Sequence, residues 1–141
     1  MRAHQAGKTA APLEIDVVSA NGSRAVALRL DPTTGRILAW NGPSRQNVQP
    51  YSTNQWLQLE LVVDSARRRY TLRVDGVSAL TDGGFLEKAG SVERIVFRTG
   101  EFRLRDFTRR PQVDGTWLTD RIPGADVMQP TTRYDLDNVF L

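Results

Sequence analysis

The chain has 141 residues, 40% of them hydrophobic and 25% charged, with a formal net charge of +3. That length suits one domain with its own core, and no apolar run is long enough to cross a bilayer. Cysteine is absent and His4 is the single histidine, so disulfides, a cysteine nucleophile and multi-histidine zinc sites are excluded. A Ser-His-Asp triad would have to use His4, in a polar terminal segment. Nearly all the basic residues are arginine, with Lys8 and Lys88 the exceptions, and residues 111–141 hold five aspartates against two arginines.

Short alternating runs separated by turn residues follow one another along the chain. Residues 13–17 alternate as Leu-Glu-Ile-Asp-Val, and Asn21-Gly22 marks a hairpin turn. Val26, Leu28 and Leu30 then alternate with Ala25, Ala27 and Arg29. Asp31-Pro32-Thr33-Thr34-Gly35 makes a tight connection into a third strand over 37–40, which completes a meander. Residues 41–54, with Gly42, Pro43 and Pro50, read as a polar loop. The strongest element comes next: Leu57, Leu59, Leu61 and Val63 share one face, Gln58, Glu60 and Val62 the other. After a turn at 64–68, Tyr70, Leu72 and Val74 answer from the partner strand, which Asp75-Gly76 ends. Trp56 and Tyr70 are assigned to the core.

Residues 81–91 read as a loop with a brief helical turn. A strand follows over 94–98, with Ile95 and Phe97 on one face. Beyond Thr99-Gly100, Phe102 and Leu104 alternate with Arg103 and Arg105. Residues 106–132 form a long loop with three of the seven prolines, and 134–141 close the chain as a strand. No helical period, fixed repeat or low-complexity segment is present. These patterns predict an all-β fold: one domain over 1–141, a two-sheet antiparallel sandwich with one apolar face per strand. One or two N-terminal strands are expected to be missing, lying upstream of Met1 in a longer protein, because the sheets need completed edges.

Residues 55–64, Gln-Trp-Leu-Gln-Leu-Glu-Leu-Val-Val-Asp, with 69–76, Arg-Tyr-Thr-Leu-Arg-Val-Asp-Gly, resemble the central hairpin of laminin-G-like and concanavalin A-like jelly rolls. Residues 95–100, Ile-Val-Phe-Arg-Thr-Gly, and 134–141, Tyr-Asp-Leu-Asp-Asn-Val-Phe-Leu, are similar to later strands of that superfamily. The resemblance implies a jelly-roll module of the kind carried by exported bacterial proteins that handle polysaccharides, hence an extracellular or periplasmic setting. A carbohydrate-binding or adhesion-type module is the first expectation. The others are a domain that packs on a neighbouring catalytic domain, and a piece of a glycoside hydrolase or polysaccharide lyase.

Superfamily hydrolases present acids as Glu-x-Asp-x-x-Glu on one strand, and no such run occurs here. Glu14 and Asp16 come nearest and read as outward, solvated acids; a lone His4 does not supply a lyase constellation. Carbohydrate binding calls for an aromatic platform beside planar polar groups, for which Trp40, Tyr51 and Trp117 are the candidates. Arg98, Arg103 and Arg105 fall on one face, opposite Phe97, Phe102 and Leu104, and would suit uronate or sulfate. Nucleic acid is not expected, since the charge is modest and neither a recognition helix nor an RNP-like motif is present. The resemblance also implies a structural calcium, which needs hard oxygen ligands. Asp135 and Asp137 are the candidate ligands, with Asp114, Asp120 and Asp126 in the long loop. The expected partners are a glycan and the neighbouring domains of a parent protein.

Overall fold

The computed structural model describes residues 1–4, 10–99, 108–111, 117–120, 134–137 and 139, with 108–111 and 117–120 given by their backbone alone. The strands are β1 (Arg2–Ala3), β2 (Leu13–Val18), β3 (Arg24–Asp31), β4 (Arg36–Asn41), β5 (Ser44–Pro50) and β6 (Leu59–Asp64). They continue with β7 (Arg69–Val74), β8 (Val77–Gly84), β9 (Arg94–Thr99), β10 (Thr108–Pro111), β11 (Trp117–Asp120) and β12 (Tyr134–Asp135). A five-stranded sheet runs β5-β4-β3-β2-β9 and a three-stranded one runs β6-β7-β8, while β1 pairs with β12 and β10 with β11. All pairs are antiparallel. No helix among the described residues is long and apolar enough to cross a membrane.

The fold is a β-sandwich, because the apolar faces of the two larger sheets enclose one core. From the first sheet come Leu13, Ile15 and Val17, then Val26, Leu28 and Leu30, then Ile37 and Ala39; Tyr70, Leu72 and Val74 come from the second. Leu59, Leu61 and Val63 of β6, with Ile95 and Phe97 of β9, pack against it. Register explains the layering: Leu13, Ile15 and Val17 stand opposite Leu30, Leu28 and Val26, and also opposite Thr99, Phe97 and Ile95. Paired residues share a face, so the alternation of one strand is reinforced by both neighbours. Burying one leucine such as the fully enclosed Leu72 stabilises the fold by roughly 2–3 kcal/mol.

Polar contacts fix the β3–β4 turn and the meeting of the two sheets. At the β3–β4 turn, Asp31 accepts from the Thr33 amide (3.1 Å) and the Thr34 hydroxyl (2.8 Å), and Gly35 takes the left-handed φ of 64° that closes it. Between the sheets, the buried Tyr70 donates its hydroxyl to the Trp40 carbonyl at 2.5 Å. The end of β8 is tied to the β4–β5 turn by Gly84 N to Asn41 Oδ1 (2.8 Å) and Gly42 N to the Gly84 carbonyl (2.9 Å).

The meander, the central hairpin and β9 stand where the alternation places them. Four expectations are corrected. The loop over 41–54 contains β5, and the loop over 81–91 begins inside β8 rather than forming a helical turn. Both are edge strands, joined to a single neighbour by backbone hydrogen bonds and carrying few core-facing side chains, so their residues lack apolar alternation. The long loop over 106–132 contains the β10–β11 hairpin, and among the described residues the closing strand is Tyr134–Asp135. At the start, where no element was expected, Arg2–Ala3 pairs with that closing strand and Ala3 is fully buried.

Candidate functional site

Glu14 and Asp16 are not outward, solvated acids. They lie on the face of β2 opposite Ile15, yet Asp16 is only 2% exposed and Glu14 9%. The reason is that β2 is an interior strand whose neighbours bring arginines into register: Arg29 of β3 and Arg98 of β9 both stand opposite Glu14. Arg29 Nε donates to Glu14 at 2.6 Å, and Arg98 pairs with Asp16. The four side chains form a charge-alternating row over three strands. Arg98 is therefore committed to a buried carboxylate, and Arg103 and Arg105, proposed to join it, lie outside the described residues. The acids are structural and are not arranged as a hydrolytic pair.

Trp40, on the outer face of β4, is half-buried, and Arg45 of the edge strand β5 stands opposite it with its guanidinium 5.9 Å from the ring centroid. Asn47 stands opposite Leu38 on the same face, exposed. Tyr51 is a core residue: it is 9% exposed and its hydroxyl has no hydrogen-bond partner among the described residues. Burial, with Tyr134 and Asp31 nearby, holds its phenol well above the ordinary tyrosine range. Trp117 opens β11, opposite Pro111; its side chain lies outside the described residues.

The most exposed large aromatic among the described residues is Trp56, at 51%. This corrects its assignment to the core. Strand β6 begins only at Leu59, and Trp56 makes an isolated bridge to Arg2. Its parity already matched Gln58, Glu60 and Val62 rather than the leucines, a signal that strict period-two reading would have used. The Arg2 guanidinium lies 5.1 Å from the Trp56 ring centroid. Asp135 holds that guanidinium with contacts of 2.6 Å from Nη2 and 3.1 Å from Nε, and His4 Nε2 donates to the same carboxylate oxygen at 2.7 Å. The Met1 ammonium donates to the Leu57 carbonyl at 2.8 Å; burial lowers its pKa, opposed by Asp137 and Asp75. An open aromatic face thus stands beside a guanidinium, an imidazole and a carboxylate held in place by one another.

The same contacts bear on calcium. One Asp135 oxygen already accepts from the Arg2 guanidinium and from His4, a setting unfavourable to a divalent ion. No group of three or more His, Asp or Glu residues that could hold a metal ion occurs among the described residues. Asp114 and Asp126 lie outside the described residues, and Asp120 is given by its backbone alone. The carboxylate of Asp135, engaged by Arg2 and His4, does not fit the ion.

An antiparallel β-sandwich with an exposed, arginine-flanked tryptophan has the architecture of a carbohydrate-binding module. The family described as "Sialidase-like, CBM domain", CBM standing for carbohydrate-binding module, matches residues 1–115, and the chain belongs to it. It is a carbohydrate-binding β-sandwich of the non-catalytic kind. A solved structure titled "Sialidase" is 30% identical with a TM-score of 0.71, covering 92% of this chain and 11% of that one. The chain therefore spans about a tenth of that sialidase. No match was found among curated proteins.

Proposed function

We propose that this module binds a glycan by stacking a sugar ring on Trp56, with Arg2, His4 and Asp135 as hydrogen-bonding partners for its hydroxyls. The observation that carries the reading is the half-exposed Trp56 ring beside an arginine already fixed by Asp135. An apolar ring face suits the C–H face of a pyranose, and planar groups held in place before binding lose little rotamer freedom on doing so. Trp40 with Arg45 and Asn47 offers a second platform at the sheet edge. In this reading the module serves a larger exported bacterial protein of the sialidase kind, extracellular or periplasmic, and holds a neighbouring catalytic domain near polysaccharide. The likeness to concanavalin A-like, laminin-G-like jelly rolls is part of the same proposal, supported by the two antiparallel sheets and the β6–β7 hairpin.

The test is a binding screen of the folded domain against neutral and acidic glycans, with Trp56→Ala and Trp40→Ala variants. Trp56→Ala is expected to weaken binding by about thirtyfold, the equivalent of about 2 kcal/mol for a buried tryptophan anchor. Stability should fall by only about 1 kcal/mol, because half the ring is already in water. Binding should survive a chelator, given the cationic setting of Asp135. Silence across the panel, or unchanged affinity in Trp56→Ala, would move the function to packing against a neighbouring domain or to the Trp40 face.

A further inference from the structure

A groove of about 300 Å³ opens where the β6–β7 turn meets the segment after β8, lined by Arg67, Arg68, Arg69, Gly84, Phe85 and Lys88 among others. Its size lies at the lower end of small-ligand sites. The floor is held from three sides. The Phe85 amide donates to the Arg68 carbonyl (3.2 Å), the Leu86 amide to Ala25 (2.9 Å) and the Glu87 amide to Arg24 (3.0 Å), and the Phe85 ring is buried. Gly84 allows the close approach of the end of β8 to the β4–β5 turn, since a Cβ there would stand 3.3 Å from the Gly42 amide nitrogen. Arg68 holds a left-handed φ of 55°, so the turn that presents the three arginines has a defined shape.

The charges on this groove do not cancel. Arg67 reaches Asp82 at 3.3 Å, but both are more than half exposed and such a pair is readily exchanged. Among the described residues the Arg69 guanidinium has no ion-pair partner and donates to the Asp82 carbonyl at 3.4 Å. The one acid in the lining, Glu87, is occupied by the Arg24 amide (2.8 Å) and the Arg24 side chain (3.2 Å). Among the described residues neither Arg68 nor Lys88 has an ion-pair partner. Four cations thus line an open groove whose one lining carboxylate is already bound. This contrasts with Arg98, whose charge is answered by the buried Asp16.

We propose that this groove is an anion-binding subsite that takes the sulfate or carboxylate group of an acidic polysaccharide. Guanidinium forks match both groups bidentately, and Lys88 adds a point charge at the rim. The site is independent of the Trp56 platform, and the groove meets the Trp40 edge through the Gly84 hydrogen bonds to Asn41 and Gly42.

The full chain is titrated with heparin (sulfated), polygalacturonate (uronate), dextran (neutral) and single-stranded DNA. The groove variant is R68N/K88Q, asparagine being tolerant of the left-handed backbone, with Lys88→Gln alone as a milder version. The charge-matched control is R73Q/R94Q, away from the groove. Salt-sensitive binding of heparin, polygalacturonate or both is expected, and which of them binds identifies the anion. Affinity should drop by at least about tenfold in the groove variant and less than about twofold in the control. Trp56→Ala should keep acidic-polymer binding, so the two sites can fail separately. The proposal is overturned if the folded chain ignores both acidic polymers. Equal loss in the control, or DNA binding as tight and as dependent on Arg68 and Lys88, overturns it too.

Discussion

Replacing Arg98 with methionine should be among the most damaging single changes on the outer face of the five-stranded sheet. Methionine keeps the length and packing of the stem but removes the charge, leaving Asp16, 2% exposed, without its partner. Its Oδ1 already lacks a hydrogen-bond donor among the described residues, so nothing else there relieves it. Losing one partner of a buried pair costs about 3–5 kcal/mol, whereas exchanging both for apolar residues is close to neutral. Arg98→Met should therefore cost about 4 kcal/mol, and D16L/R98M should return to within about 1 kcal/mol of the parent. For a chain of this size the single variant's melting midpoint should fall by roughly 12 °C. Urea titrations of the parent, both single variants and the double close the cycle. The exposed pair Arg73–Glu60, 3.3 Å apart and about half in solvent, is the comparison, with Glu60→Gln expected within about 0.5 kcal/mol. A cost below about 1 kcal/mol for Arg98→Met would refute the argument, because Asp16 would then have to be solvated.

Tyr70→Phe removes the hydroxyl that reaches the Trp40 carbonyl and is expected to cost about 1–2 kcal/mol in the same titration; a neutral effect would mean that this inter-sheet bond contributes nothing net. Alkaline pH supplies a further test. Burial raises the phenols of Tyr51 and Tyr70 well above their ordinary value, and that of Tyr134 to about 12. The folded state keeps these protons longer than the unfolded chain, so their contribution is complete below pH 10 and declines as pH rises from 10 through about 12. Tyrosinate absorbance should appear together with loss of β-structure; early ionisation of all three tyrosines in a folded chain would contradict their burial.

How much could be read in advance followed from where each strand's partners lie. The hairpin of β6 and β7 was legible because Leu59, Leu61 and Val63 alternate within six residues and Tyr70, Leu72 and Val74 repeat the pattern. Strand β5, Ser-Arg-Gln-Asn-Val-Gln-Pro, carries no such pattern, since an edge strand needs only its backbone to pair with β4. Glu14 and Asp16 looked solvated because the arginines that bury them arrive from 15 and 82 residues away. That separation is invisible to local alternation. The exposure of Trp56 was written in its parity, but the pull of a large aromatic toward the core outweighed it. The groove was beyond reach, since Arg67–Arg69 and Lys88 meet only once β8 has folded back along β7.

The placement of charge separates what holds this sandwich from what it offers a ligand. Arg29 and Arg98 are turned onto Glu14 and Asp16 in the register of three adjacent strands, so their charges close the structure and are not available to a ligand. Arg68 and Lys88 sit on a turn and a post-strand segment, and neither has an ion-pair partner among the described residues. The same distinction applies to the aromatics. Tyr70 and Tyr51 are buried in the core, whereas Trp56 lies just before β6 begins, bridged to Arg2, and leaves its ring half outside. Within the interior strands of this sandwich, sheet register neutralises and buries charge, whereas the proposed contacts at Trp56 and the Arg67–Arg69 turn lie at the ends of the β6–β7 ladder. As proposed sites, Trp56 and the Arg67–Arg69 turn differ in chemistry, one apolar and one cationic, and would suit different parts of a polysaccharide.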